Sequence, residues 1–143
     1  MKSLLCDIGN TSYHFLDSSV SYKKEVDIFD PSTVTQKIYY ISVNEKISAK
    51  VKKLNNWINL ADFVDMQKYY TTMGIDRICA VEAVTNSVII DAGSAITVDV
   101  VRDGHFEGGF IYPGVKAMQK TYKNISPALD YSFNFDLDLD IMP

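Results

Sequence analysis

Hydrophobic and polar positions in the first part of the chain follow the short periods that are typical of β-strands. Apolar runs at residues 2–8 and 38–43 predict buried strands, and looser alternation at 12–16 and 20–29 predicts two more strands joined by tight turns. Lysines on a helical period at 44–54 predict a surface helix. These patterns together predict an α/β protein in which the first strands pair antiparallel.

Two further signals in this part are less regular. Asp30 followed by Pro31 is typical of a helix start, with the aspartate as N-cap and the proline in the first turn. Residues 57–64 are compatible with either a strand or a helix.

The later part of the chain alternates between helix and strand patterns. Residues 76–84 predict a helix that begins after Gly74, and residues 87–91 predict a strand. Residues 96–101 and 105–111 predict a hairpin across an Asp-Gly turn. A Pro-Gly pair then leads into another predicted helix.

The stretch 131–143 has a strict alternation that predicts a half-buried strand, with apolar residues on one face. Those residues are Phe133, Phe135, Leu137, Leu139 and Ile141. The three aspartates of "DLDLD" share the other face, and we interpret them as a solvated face rather than as a metal site.

Composition and charge exclude several classes of protein. The 143 residues carry a net charge of −4, the wrong sign for a general nucleic-acid binder, which must neutralise phosphates. No apolar run approaches the length of a membrane span, and only a few apolar residues separate Lys2 from Asp7, so we expect no secretory leader. Cys6 and Cys79 lie in apolar runs without a CxxC pair, which predicts buried, reduced thiols and a cytoplasmic protein.

The chain contains an internal repeat. "CDIGNTSYHFLD" and "IDAGSAITVDVV" each run from a strand through Asp-x-Gly and a small polar residue into a second strand. A third strand and then a helix follow each copy. This repetition predicts two related halves, residues 1–85 and 86–143.

The two repeated turns have the chemistry of a phosphate site. Gly9 and Gly93 allow a ligand to approach the backbone closely, and clustered backbone N–H groups bind phosphate oxygens. Asp7 and Asp91 repel phosphate directly but can hold a cation that bridges to it. One such turn alone favours a plain hairpin, whereas the repetition favours a pair of phosphate-binding turns.

Two glycine-containing motifs have both a structural and a functional interpretation. Asp76 and Arg77 follow Gly74 in the first helical turn, where the aspartate can be a cap or, with the arginine, a base and anion clamp. The spacing alone favours the cap and the substrate site equally. Gly108 and Gly109 indicate either a bulge or a close approach of a ligand.

Four motifs in a fixed order resemble one known family. "DIGNT", "GIDR", "DAGSAITVD" and "GGFIYPG" are similar to the motifs of the type III pantothenate kinases, which belong to the actin-like ATPase superfamily. Each motif is weakly specific, but the four in order cover most of the chain. The resemblance implies duplicated ribonuclease H-like halves, a mixed five-stranded sheet flanked by helices, and an incomplete second half.

The resemblance also implies a reaction and a set of site residues. The reaction is ATP-dependent phosphorylation of the primary hydroxyl of pantothenate to 4′-phosphopantothenate, the first step of coenzyme A synthesis, with Asp76 as general base. The residues implied to bind pantothenate are Tyr70, Gly74, Ile75, Asp76 and Arg77. Those implied to bind ATP phosphates are Asp7, Ile8, Gly9, Asn10, Thr11, Ser12, Tyr13, His14, Gly93 and Ser94.

Cofactors and partners follow from the same resemblance. Asp91 is implied to hold a monovalent cation, K⁺ or NH₄⁺, and Asp7 to act on Mg²⁺ through water. The family implies a homodimer, with neither nucleic acid nor membrane as partner. Family members usually continue past the position of Pro143, so we expect weak or no kinase activity from this chain. The alternative is a non-catalytic, nucleotide-binding regulatory member of the same fold.

Overall fold

The computed structural model of the protein describes residues 3–130. The chain divides into two compact units, Met1–Val84 and Thr85–Pro143. Assigning an actin-like half to each unit remains a prediction. The strand and the aspartate face predicted for 131–143 lie outside the described residues.

The first unit is built on a mixed five-stranded sheet in the order β3-β2-β1-β4-β5. β1, β2 and β3 pair antiparallel, whereas β4 is parallel to β1 and β5 is parallel to β4. The predicted α/β class with a mixed five-stranded sheet is therefore confirmed. The strands are β1 Leu4–Ile8, β2 Ser12–Asp17, β3 Val20–Glu25, β4 Ile38–Ser42 and β5 Trp57–Asn59.

Two α-helices accompany this sheet, α1 Glu45–Val51 and α2 Ile75–Glu82. The Asn44 side chain caps α1 by accepting from the backbone N–H of Ile47 at 3.2 Å. The ambiguous segment contains both β5 and a 3₁₀ turn, Leu60–Phe63, and a further turn spans Met66–Lys68.

The helix predicted to start at Asp30 is only one short turn in the structure. Asp30 does cap a turn, because its Oδ1 accepts from the N–H of Ser32 at 3.0 Å, and this bond lowers the pKa of the Asp30 carboxyl. The turn, however, is a single 3₁₀ turn, Pro31–Thr33. β-Branched residues at 33–35 lose rotamer freedom in a helix and oppose its continuation.

The core of the first unit covers one face of the sheet. Alternate residues of β1 are buried, and an aromatic cluster of Tyr13, Phe15, Phe29 and Trp57 packs with ring centroids 4.9 to 6.4 Å apart. Burying each large apolar side chain contributes about 1.5–3 kcal/mol. The core therefore holds β1 and β4 rigidly, and the turns that follow these strands are attached to a fixed support.

The second unit is a three-stranded antiparallel sheet in the order β6-β7-β8, followed by a helix. The predicted hairpin is confirmed, and Asp103 and Gly104 form its turn with φ of 50° and 75°. Positive φ at both central residues is typical of a type I′ turn. The elements are β6 Ser87–Ala92, β7 Ala95–Arg102, β8 His105–Pro113 and α3 Val115–Ile125, with a final 3₁₀ turn Pro127–Leu129.

None of the helices in residues 3–130 is long and apolar enough to cross a membrane.

Candidate active site

The first repeated turn spans residues 9–12, between paired positions Ile8 and Tyr13. The N–H of Gly9 donates to the carbonyl of Ser12 at 3.0 Å and closes the turn. Two neighbours hold it from outside. The N–H of Val26 donates to the carbonyl of Thr11 at 3.1 Å, and the side-chain amide of Asn44 donates to the backbone carbonyl of Asn10 at 3.4 Å. The backbone of the turn is thus fixed by two main-chain bonds and one side chain.

The side chains around this turn divide into two groups. Asp7, Asn10 and Thr11 are exposed and accessible to a ligand. Ile8 and Tyr13 are fully buried in the core, so only their backbone could contact phosphate.

The hydroxyl of Ser12 and Nε2 of His14 lie 2.7 Å apart in a part-buried hydrogen bond. His14 also pairs across the strands with Asp7. His14, the last residue of the predicted phosphate turn, therefore lies opposite Asp7, its first residue.

The second repeated turn is one residue shorter than the first. It spans residues 93–95, between paired Ala92 and Ile96, and the N–H of Gly93 donates to the carbonyl of Ala95 at 2.8 Å. Asp91, Gly93 and Ser94 are all exposed. Each unit therefore presents an aspartate and a hydroxyl or amide residue beside an N–H-containing turn.

Gly114 supports this second turn, a role that sequence reasoning missed. Its N–H donates to the carbonyl of Ser94 at 3.0 Å, and Gly114 itself is buried. A Cβ at position 114 would lie 2.6 Å from the Ser94 carbonyl oxygen and would overlap that of Gly93. The Pro-Gly pair of the fourth motif was the available signal for this contact.

Asp99 is a second residue that sequence reasoning did not single out. Its side chain is 1% exposed in β7, and its cross-strand neighbours are Ile89 and Gly109. Gly109 adds no side chain over the carboxylate. The available signal was its spacing. Asp99 lies two residues before the buried Val101 in β7, so the two side chains are on the same face of the strand.

The Gly-x-Asp-Arg motif forms the start of α2. Gly74 is the N-cap residue, Ile75 the first helical residue, and Oδ1 of Asp76 accepts from the N–H of Arg77 at 2.8 Å. A Cβ on Gly74 would overlap the same oxygen. Asp76 is therefore not the N-cap residue, but its half-buried carboxylate accepts from one N–H of the first helical turn.

Arg77 is buried at 6% exposure and does not extend into solvent. Its Nη1 donates to the hydroxyl of Tyr70 at 2.5 Å, and its guanidinium carbon lies 5.9 Å from the centroid of the Tyr70 ring. The structure thus brings together three of the predicted substrate residues, Tyr70, Asp76 and Arg77.

The segment before α2 makes a further contact that the sequence did not predict. The hydroxyl of Tyr69 donates to Oε1 of Glu82 at 2.8 Å, and Lys68 Nζ lies 3.8 Å from the same oxygen. Burial and this hydrogen bond raise the pKa of Tyr69 to about 12.

Both cysteines have free thiols, as the sequence predicts, but the predicted burial is confirmed only for Cys6, whereas Cys79 is half-buried. Burial raises the pKa of Cys6 and of Cys79, and nearby Asp7 and Asp76, respectively, add to the effect. Both thiols therefore stay protonated and poorly nucleophilic at neutral pH.

Few protein ligands for a cation lie beside either turn. Within residues 3–130, no cluster of three or more His, Cys, Asp or Glu side chains could hold a metal ion. Asp7 and Asp91 are exposed single carboxylates next to the two turns. Such donors fit Mg²⁺, which keeps most of its waters and is usually held by one or two carboxylates together with substrate phosphates.

Comparison with known proteins identifies the family. The model of the family described as type III pantothenate kinase matches residues 42–125. A type III pantothenate kinase of Sulfurimonas denitrificans is 59% identical over 98% of this chain and 68% of its own length. The chain belongs to the type III pantothenate kinase family.

Other relatives agree with this type III pantothenate kinase assignment. A type III pantothenate kinase of Campylobacter jejuni is 41% identical over 98% of this chain and 67% of its own length. A crystal structure of a Campylobacter jejuni protein, described as a Baf family transcriptional activator, matches 98% of this chain and 67% of its own, with a TM-score of 0.82 and 41% identity. The predicted enzyme class, a kinase, is confirmed, and the chain spans about two thirds of these relatives.

Proposed function

We propose that the protein transfers the γ-phosphoryl group of ATP to the primary hydroxyl of pantothenate, which gives 4′-phosphopantothenate for coenzyme A synthesis. Family membership supports this reaction. The observation that links the reaction to particular residues is the cluster of Asp76, Arg77 and Tyr70 at the start of α2. A carboxylate, a guanidinium and a phenol provide a base and two polar contacts for a small anionic alcohol.

Asp76 is the general base in this proposal. Its Oδ1 is held by the N–H of Arg77, and in the described part of the chain no hydrogen bond engages Oδ2. Oδ2 accepts the hydroxyl proton while the hydroxyl oxygen bonds to the γ-phosphorus. The bond from that phosphorus to the β,γ-bridging oxygen breaks, and ADP leaves with the electron pair.

The two turns hold the phosphates of ATP. The N–H groups of Gly9 and Gly93 close the two turns. The backbone N–H groups of Asn10 to Ser12 and of Ser94, with the exposed side chains of Asn10 and Thr11, contact phosphate oxygens. Asp7 would hold Mg²⁺ through water and Asp91 a K⁺ or NH₄⁺ ion. These cations would neutralise the charge of the polyphosphate.

Arg77 and Tyr70 bind pantothenate. The buried guanidinium provides a charge-assisted hydrogen bond to the carboxylate or another polar group of the substrate. Tyr70 is 45% exposed, and its hydroxyl accepts from Nη1 of Arg77. We further propose that the protein is a cytoplasmic homodimer, and that the 143-residue chain alone turns over weakly.

Replacement of Asp76 by Asn tests the base assignment in the protein at the length it has in the cell. We expect D76N to lower kcat about 10²–10⁴-fold, the usual contribution of a general base, with little change in KM for ATP. Asp27→Asn removes an exposed carboxylate and is the matched control. Turnover that is unchanged in D76N would remove Asp76 from this role.

Calorimetry separates catalysis from the regulatory alternative. ATP and pantothenate are titrated separately, each with Mg²⁺ and K⁺. Binding of both supports the kinase, whereas binding of ATP without pantothenate would favour a nucleotide-binding regulator.

A further inference from the structure

Two consecutive tyrosines attach the segment before α2 to that helix at two separate points. The hydroxyl of Tyr70 contacts Nη1 of Arg77 at 2.5 Å, and the hydroxyl of Tyr69 contacts Oε1 of Glu82 at 2.8 Å. Arg77 and Glu82 lie more than one helical turn apart. The segment is therefore held along α2 and cannot pivot about a single bond.

The segment is also ordered from within. The N–H of Met73 donates to the carbonyl of Tyr70 at 2.9 Å, and the side chain of Met73 is 4% exposed. On the other side, the N–H of Tyr69 donates to the carbonyl of Met66 at 3.3 Å. Tyr69 and Tyr70 thus sit between two short turns whose backbone is fixed.

Tyr70 is packed on one side only. Nearly half of its surface is exposed, while its hydroxyl and its ring both contact the guanidinium of Arg77. Its position depends on the adjacent backbone, which the half-buried Tyr69 holds through a bond to a carboxylate. Bonds to ionised acceptors are stronger than neutral ones. The Tyr69 hydroxyl is protonated at neutral pH and can donate, and burial with the bond to Glu82 raises its pKa to about 12.

We propose that Tyr69 and Glu82 form a positioning pair for pantothenate binding. The pair fixes Tyr70 and, through the Tyr70 hydroxyl, the guanidinium of Arg77 in the arrangement that receives the substrate. This inference rests on the proposed function, in which Tyr70 and Arg77 contact pantothenate. Neither Tyr69 nor Glu82 touches the substrate.

Steady-state kinetics of Tyr69→Phe and Glu82→Ala tests the pair. Loss of one charge-assisted hydrogen bond should raise KM for pantothenate about three- to tenfold. The kcat and the KM for ATP should stay within about twofold, because the base and the phosphate turns keep their contacts. A KM change confined to one substrate is a result that general destabilisation does not produce.

Three variants serve as controls for this test. Tyr122→Phe removes the same oxygen from an exposed position on α3 and should change neither KM. Glu82→Gln keeps an oxygen acceptor and should recover part of the pantothenate affinity lost in Glu82→Ala. The double variant Y69F/E82A should be no worse than E82A alone, because E82A already removes the Tyr69 hydrogen bond together with the contact to Lys68.

The outcomes distinguish this inference from the proposed function. If the parent protein phosphorylates pantothenate and Y69F leaves KM for pantothenate unchanged, the positioning pair is wrong and the proposed function stands. Equal increases in both KM values, or additive effects in the double variant, would likewise overturn it. A parent protein that neither binds nor phosphorylates pantothenate would overturn both.

Discussion

Gly74 shows how a single residue sets the geometry of the candidate base. Its backbone, with φ of −64° and ψ of 143°, is accessible to any residue, so conformational freedom does not require glycine here. The requirement comes from Asp76, whose Oδ1 occupies the space that a Cβ would fill. We expect Gly74→Ala to displace the carboxylate, break its bond to the N–H of Arg77 and lower kcat about tenfold, measured with saturating substrates.

A double-variant comparison checks this mechanism at the same position. In a protein that already carries Asp76→Ala, the overlapping oxygen is absent, so Gly74→Ala should cost no further stability in thermal unfolding. In the parent, the same change should cost about 1–3 kcal/mol. Equal costs in both backgrounds would show that Asp76 is not what excludes a side chain at 74.

Some residues of the site could be predicted from the sequence and others could not. Asp76 and Arg77 stand next to each other after a glycine, so local spacing was sufficient to select them. Tyr69 and Glu82 are distant in the sequence, and their contact exists only because the segment before α2 folds back along the helix. Asp99 was missed because a lone acidic residue in an apolar strand forms no recognisable motif. Only its spacing from the buried Val101 indicates that it faces inward.

At the scale of elements, the second turn depends on the strand-to-helix junction at Gly114. The junction contacts the Gly93 and Ser94 carbonyls so closely that a methyl group does not fit. We expect Gly114→Ala to push the turn away, to lower the free energy of unfolding by about 1–3 kcal/mol, and to weaken ATP binding. Thermal denaturation and an ATP titration measure the two effects.

Gly93→Ala is the matched control for the junction. A Cβ at position 93 would meet only the carbonyl oxygen of Ala95, at 3.8 Å, which is ordinary contact. This variant should therefore unfold within about 0.5 kcal/mol of the parent, although Gly93 lies in the turn itself. Similar destabilisation by both alanines would contradict the assigned role of Gly114.

The elements themselves show which local signals decide structure. The Asp-Gly turn at 103 and 104 was predictable because positive φ at both positions suits few residues, and the hairpin formed as expected. The cap at Asp30 was equally clear, yet the β-branched residues after it stopped the helix after one 3₁₀ turn. A cap signal fixes where a turn starts, whereas the residues that follow determine its length.

At the scale of the whole molecule, the two units differ in how well they bury their apolar residues. Within residues 3–130, Val101 is the one buried hydrophobic residue of the second unit, and all the others belong to the first. Val88, Ile90 and Phe110 in the second sheet are 62%, 67% and 50% exposed. Local stability follows buried apolar contacts, so the second unit should open more readily.

Amide hydrogen exchange of the 143-residue chain measures this difference directly. We expect β6 and β8 to exchange at least about tenfold faster than β1 and β4, which lie between β2 and β5 in the first sheet. Under the proposed function, an easily opened second unit would present Asp91 and the turn at 93–95 in the binding arrangement only part of the time, which would lower the apparent ATP affinity by that fraction. Slow turnover of this chain would have the same cause. Equal protection of the two sheets, together with robust phosphorylation of pantothenate, would contradict this account.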